Sequence, residues 1–361
     1  MTTAETASAA NMGPRGGAPG EAPASTSTAA EKPVPHGGDL DAARRRFPEA
    51  PEPWFDLSTG INPIPYPVPP LPPEAWARLP LESEEEALLA AAAARYGAPD
   101  PQMIVAAPGS QALVQVIPRL MGRCRVAVVS PAYAEHAAAW AREGHDVAEV
   151  HDPEETRAEV AIVVNPNSPT GHTIPCDDLM RLAGSLSTRQ GRLVVDEAFV
   201  DTLEPGASIV PVLPPSTIVL RSVGKTYGLA GLRLGFAIAD RETAERLRRL
   251  LGPWAVSGPA LAIGRQALAD EPWLLAARRR LAADAERLGA MLTAAGSRLI
   301  GGTPLFRLAE HPRAARVAEV LGRHGIHVRQ FADHPAWLRL GLPGAEPAWR
   351  RLATALQATL T

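Results

Sequence analysis

Between residues 126 and 238 the chain repeats one pattern. Apolar, β-rich runs fall at 126–130, 160–165, 193–196, 217–220 and 234–238, and helix-like segments at 134–143 and 176–190 follow the first two. Strands that alternate with helices predict an α/β fold, a mostly parallel sheet flanked by helices on both faces. A further helix is expected at 87–96, stopped by Gly97.

The texture changes near residue 255. Residues 260–295 are rich in Ala, Leu and Arg and read as long helices. Strand-like runs follow at 305–308, 328–331 and 338–342, with helices at 313–324 and 346–360. A chain of 361 residues is too long for one small core. We therefore expect a large α/β domain over 86–254 and a smaller α+β domain over 255–361, preceded by an N-terminal arm at 36–85. Residues 1–35 are dominated by Ala, Gly, Ser, Thr and Pro and cannot bury enough apolar surface to offset their ordering entropy, so a disordered tail is expected there.

Bulk properties narrow the partners. The composition is 46% apolar and 21% charged, as in soluble globular proteins, and the formal net charge of −3 gives no reason to expect nucleic acid. No apolar run reaches the ~18 residues that a membrane helix needs. The start lacks the basic-then-apolar pattern of a secretory signal, and two cysteines make no disulfide framework. A cytoplasmic protein is expected.

The densest chemistry lies at 222–235, Ser-Val-Gly-Lys-Thr-Tyr-Gly-Leu-Ala-Gly-Leu-Arg-Leu-Gly. Ser222 stands three residues before Lys225 and Arg233 eight after it, among four glycines that let backbone approach a ligand closely. Ser222 and Arg233 can converge on one anion, and a guanidinium suits a phosphate. This stretch resembles, position for position, the lysine signature of class I and II pyridoxal-phosphate aminotransferases. The resemblance covers about residues 36–361. It implies the aspartate aminotransferase-like fold (PLP fold type I), pyridoxal 5′-phosphate as cofactor, Lys225 as the residue that carries it, and Ser222 and Arg233 at its phosphate. It implies no metal.

Other segments agree in order. The run 193–196 ends in Asp196 at a strand's carboxyl end, where α/β sites form. By resemblance Asp196 pairs with the cofactor's protonated ring nitrogen, which makes the ring a better electron sink. Gly109, Ser110 and Gln111 precede an apolar helix whose free amides suit a phosphate, and the family places this segment there. Tyr133 stands where the family stacks an aromatic ring on the cofactor. The loop Asn-Pro-Asn-Ser-Pro-Thr-Gly at 165–171 resembles the family's cofactor loop, with Ser168 where Asn is usual and Phe199 where many members have Tyr. Asn167 is then the expected contact to the ring hydroxyl. Arg339, alternating with Leu338 and Leu340, matches the substrate-carboxylate arginine.

Three features point to one branch: His36-Gly-Gly, the segment Phe-Asp-Leu-Ser-Thr-Gly-Ile-Asn-Pro at 55–63, and Gly-Gly-Thr-Pro-Leu-Phe-Arg-Leu at 301–308. They look like threonine-phosphate decarboxylases of cobalamin biosynthesis. That resemblance implies decarboxylation of L-threonine O-3-phosphate, His36 and Asn62 as substrate contacts, and a homodimer. Two other readings stay open: an aminotransferase for histidinol phosphate or a related amino acid, and a non-catalytic binding module on the same fold.

Overall fold

The computed structural model describes residues 36–155 and 157–360, so the expected tail at 1–35 lies outside the described residues. A seven-stranded sheet organises the middle of the chain. After the short strand β1 (Phe55–Asp56), it comprises β2 (Ile104–Ala107), β3 (Arg125–Val129), β4 (Asp146–Val150), β5 (Val160–Val164), β6 (Arg192–Asp196), β7 (Thr217–Ser222) and β8 (Gly235–Ile238), in the order β2-β8-β7-β6-β5-β3-β4. All neighbours are parallel except β8, which runs antiparallel to both β2 and β7.

Side-chain alternation explains why both faces carry helices. Along β5, Val160 and Ile162 enter one core and Ala161 and Val163 the other; along β6, Val194 opposes Leu193 and Val195. One core includes Leu88 and Tyr96 of the helix Glu82–Tyr96 and Leu179, Leu182 and Leu186 of Cys176–Ser187. The other includes Leu113 of Ser110–Val116, Trp140 of Glu135–Arg142 and Leu247 of Arg241–Leu251. The helix at 82–96 stops at Gly97, with φ 73°, as expected, but starts earlier than its apolar stretch because its first turn is acidic.

A second, four-stranded antiparallel sheet follows: β9 (Arg298–Thr303), β10 (Phe306–Glu310), β12 (Arg329–Gln330) and β13 (Trp337–Gly341), in the order β12-β13-β10-β9. β11 (Ile326–His327) pairs in parallel with β1, which stitches the N-terminal segment to this end. Leu57 and Phe199 share its core with Leu288, Phe306, Leu340 and Trp349. The region at 260–295 is two helices, Gly258–Ala269 and Glu271–Ala294; Asp270 breaks them and accepts from Trp273 N at 3.0 Å. Ala260, Leu261 and Leu268 of the first helix join the seven-stranded sheet's core. The structural layer thus runs past the compositional change at 255. Composition reports helix content, not the layer on which a helix packs.

Candidate active site

The carboxyl ends of β5, β6 and β7 and the loop after β3 open, together with the start of the helix Ser110–Val116, onto a cavity of about 310 Å³. Parallel strands expose their unpaired ends at that edge, so side chains there are free to face a ligand. The walls include Lys225, Asp196, Ser110, Tyr133, Arg233 and Arg339.

Lys225 sits in the single helical turn Val223–Thr226 that follows β7. Its Nζ lies 5.5 Å from the centre of the Phe199 ring. Burial holds the ammonium down at about 8, helped by the like charges of Arg339 and Arg233 and opposed by Asp196. A sizeable fraction is therefore the neutral, nucleophilic amine near pH 8.

Asp196 is buried at the end of β6. Its Oδ1 accepts from Ala198 N at 3.0 Å, and its Oδ2 lies 2.9 Å from His136 Nε2. Tyr133 packs edge-on against His136, with centroids 6.0 Å apart, and its hydroxyl donates to Gln111 Oε1 at 3.0 Å. Burial, with the nearby carboxylates of Glu135 and Asp196, pushes that phenol up to about 12.

One end of the cavity is built for an anion. Gly109 has φ 85°, and a Cβ there would stand 2.6 Å from an Arg233 nitrogen, so the guanidinium packs flush on the backbone at the helix start. Arg233 itself is left-handed at φ 53°, with one nitrogen donating to Ala230 O at 3.1 Å. Ser110, Gln111 and Ser222 complete this end.

Arg339 also lines the cavity. It donates to Ser168 Oγ at 2.7 Å and to Ser58 O at 2.9 Å, and its buried Nε has no partner among the described residues. Its guanidinium stands 5.1 Å from the Phe306 ring centre. Burial, then the like charge of Arg329, brings it down to about 10, with Asp56 opposing. Leu338 and Leu340 turn into the core, as the alternation requires.

His36 reaches the rim, its Nε2 3.0 Å from Glu135 Oε1. Two expected contacts are not brought to the cavity. Asn62 lies behind Lys225: its Nδ2 donates to Thr226 O at 2.8 Å, its Oδ1 accepts from Ile64 N at 3.0 Å, and its own N donates to Lys225 O at 3.0 Å. Asn167 is spent on its own loop and the one after β3, accepting from Thr170 N at 3.1 Å and Thr170 Oγ1 at 2.9 Å and donating to Pro131 O at 3.0 Å. Ser168 faces the cavity instead, and Phe199 presents hydrocarbon only. His136, Glu135 and Ser58 were not singled out from sequence. The Asp196 partner of His136, the His36 partner of Glu135 and the Arg339 partner of Ser58 lie 60, 99 and 281 residues away.

Comparison with known proteins identifies the family. The model of the aminotransferase class I and II family matches residues 82–356. A threonine-phosphate decarboxylase of Pseudomonas aeruginosa is 43% identical over 325 residues, covering 89% of this chain and 96% of that protein. One from Sinorhizobium sp. is 42% identical over 333 residues, covering 90% and 98%. The crystal structure of histidinol-phosphate aminotransferase from Sinorhizobium meliloti, in complex with pyridoxal 5′-phosphate, superposes with a TM-score of 0.75 at 22% identity over 90% of this chain and 95% of that one. The chain belongs to the class I and II aminotransferase family, and within it to the threonine-phosphate decarboxylases.

Proposed function

We propose that this protein decarboxylates L-threonine O-3-phosphate to (R)-1-aminopropan-2-yl phosphate and carbon dioxide, the step that yields the aminopropanol linker of cobalamin. The observation that carries this reading is the 43% identity, over 96% of its length, to a threonine-phosphate decarboxylase.

The cavity fits pyridoxal 5′-phosphate on its own terms. A desolvated amine at Lys225 suits an aldehyde, and Asp196 is buried where it can hold a protonated ring nitrogen. The cradle at Gly109, where a Cβ would collide with Arg233, suits a phosphate, with Ser110, Gln111 and Ser222 beside it. When bound, the cofactor supplies an electron sink for the pair left behind as carbon dioxide departs.

The chain's own residues then have distinct tasks. His136 orients the Asp196 carboxylate. Tyr133 offers its ring as a wall, its hydroxyl being engaged by Gln111. Arg339, fixed by Ser168 and Ser58, uses its remaining donor capacity to hold the substrate carboxylate in one orientation. Orientation matters because misplacement of a reacting group by about 1 Å is costly. Lys225, with both protonation states populated near pH 8, can give a proton to Cα.

Purified holoenzyme incubated with L-threonine O-3-phosphate should release carbon dioxide without any 2-oxo acid. Amino-group transfer to 2-oxoglutarate without gas release would replace this reading by the aminotransferase one. We also read the protein as a cytoplasmic homodimer. Among the described residues no helix is long and apolar enough to cross a membrane, and Trp76 and Trp254, 70% and 60% exposed, offer apolar surface to a second copy. Sedimentation of the purified protein at monomer mass would reject the dimer.

A further inference from the structure

Glu135 is buried just outside the cavity wall, and four side chains converge on it. His36 Nε2 lies 3.0 Å from Oε1. On Oε2, Gln111 Nε2 donates at 3.0 Å, Gln115 Nε2 at 3.1 Å and an Arg142 guanidinium nitrogen at 3.2 Å. The carboxylate is thus held through both oxygens, by the His36 ring on Oε1 and by three donors on Oε2. Two of the four partners, His36 and Gln111, line the cavity, and Gln111 in turn receives the Tyr133 hydroxyl.

His36 also begins a strap. A Cβ on Gly37 would sit 2.5 Å from Ser58 O, so the strap lies flush on that residue, and Gly38 N donates to Ser58 Oγ at 2.7 Å. The same Ser58 carbonyl accepts from Arg339. The segment 36–38 thus runs along the rim from the Arg339 end to Glu135. Its backbone is fixed at one end, and its histidine is fixed at the other by Glu135.

We propose that Glu135 is a positioning residue that tethers the His36–Gly37–Gly38 strap at the cavity rim, so that the strap's contribution to substrate binding depends on a residue the substrate does not touch. The proposal rests on the functional reading above only for its kinetic arm. Glu135→Ala frees His36 and should speed amide exchange in the 36–40 peptide about tenfold, read by mass spectrometry on the full chain with cofactor, because local opening loses one anchor. With L-threonine O-3-phosphate it should raise KM about tenfold, the scale of one charge-assisted hydrogen bond, with kcat within about threefold of wild type. Glu135→Gln should stay within about threefold of wild type in both readouts. Its amide can keep oxygen toward Gln111, Gln115 and Arg142 and turn its NH2 to the His36 ring, which can accept. His36→Ala should reproduce the KM rise, and His36→Ala combined with Glu135→Ala should be no worse than Glu135→Ala alone.

Wild-type KM and exchange in Glu135→Ala would overturn the proposal, as would multiplying effects in the double variant or a Glu135→Gln as damaged as the alanine. If Glu135→Ala does not fold, His36→Ala decides: an unchanged KM with intact melting temperature rejects the strap. If wild type itself does not turn over L-threonine O-3-phosphate, the functional reading has failed, while amide exchange still judges the tether.

Discussion

Arg221 and Arg339 are both strand arginines, the first buried and the second half-buried with its Nε sealed from solvent, and the molecule treats them in opposite ways. Arg221, on β7, has Glu197 at 3.1 Å and an ion pair with Asp201, with its guanidinium 4.1 Å from the centre of the Tyr96 ring. Desolvation alone would pull its proton affinity down, yet Asp201 and Glu197 outweigh it and the net direction is up. Arg339, on β13, meets a hydroxyl, a carbonyl and an aromatic face, and its affinity falls to about 10. A desolvated cation with its counter-charges built in holds a fold together. One without them waits for a counter-charge from outside. Burial alone does not separate structural from functional charge; the presence of a carboxylate does.

This contrast can be broken at several points. Arg221→Met should have the largest effect: it leaves Glu197 and Asp201 buried without a counter-charge, a cost of about 3–5 kcal/mol. A melting temperature within a few degrees of wild type would show that the cluster is not structural. Arg339→Gln should instead keep the melting temperature and lower kcat/KM roughly ten- to a hundredfold, the scale of a lost bidentate contact to a carboxylate. Lower stability with intact kinetics would place Arg339 beside Arg221 as a structural residue. Ser168→Ala removes one of the two tethers of Arg339 and should cost about 1 kcal/mol, or roughly fivefold in kcat/KM. Unchanged kinetics would mean that Ser58 O alone fixes the guanidinium.

The finest test reads the charge of Arg339 at Lys225. Only the neutral amine attacks an aldehyde, so the rate at which cofactor-free protein takes up pyridoxal 5′-phosphate should rise with pH through about 8. Because the Arg339 charge helps hold the lysine down, Arg339→Gln should move this midpoint upward. A midpoint that stays put would show that Arg339 and Lys225 are electrostatically independent.

The sequence was legible where chemistry and local pattern coincide. β3, β5, β6, β7 and β8 stand close to where apolar runs predicted them; Asp196 lies at the end of β6 and Lys225 in the turn just after β7. β4 escaped because it is an edge strand whose polar residues face water. Side-chain direction inside a loop was not legible. Asn167 and Ser168 are neighbours, but a Pro-flanked turn lets the asparagine bond its own loop and delivers the serine to the cavity. Asn62 shows the same preference of Asn for nearby backbone. His136 could not be found by spacing, since its partner Asp196 is 60 residues away and only the sheet brings them together.

Asn62 has a mechanical consequence. It grips the carbonyls of both Lys225 and Thr226, so the main chain beneath the lysine is clamped on consecutive peptide units. Under the proposed role, the Lys225 amine would travel only on its own four methylenes. The stroke of that piston would be set by side-chain rotamers about a clamped pivot.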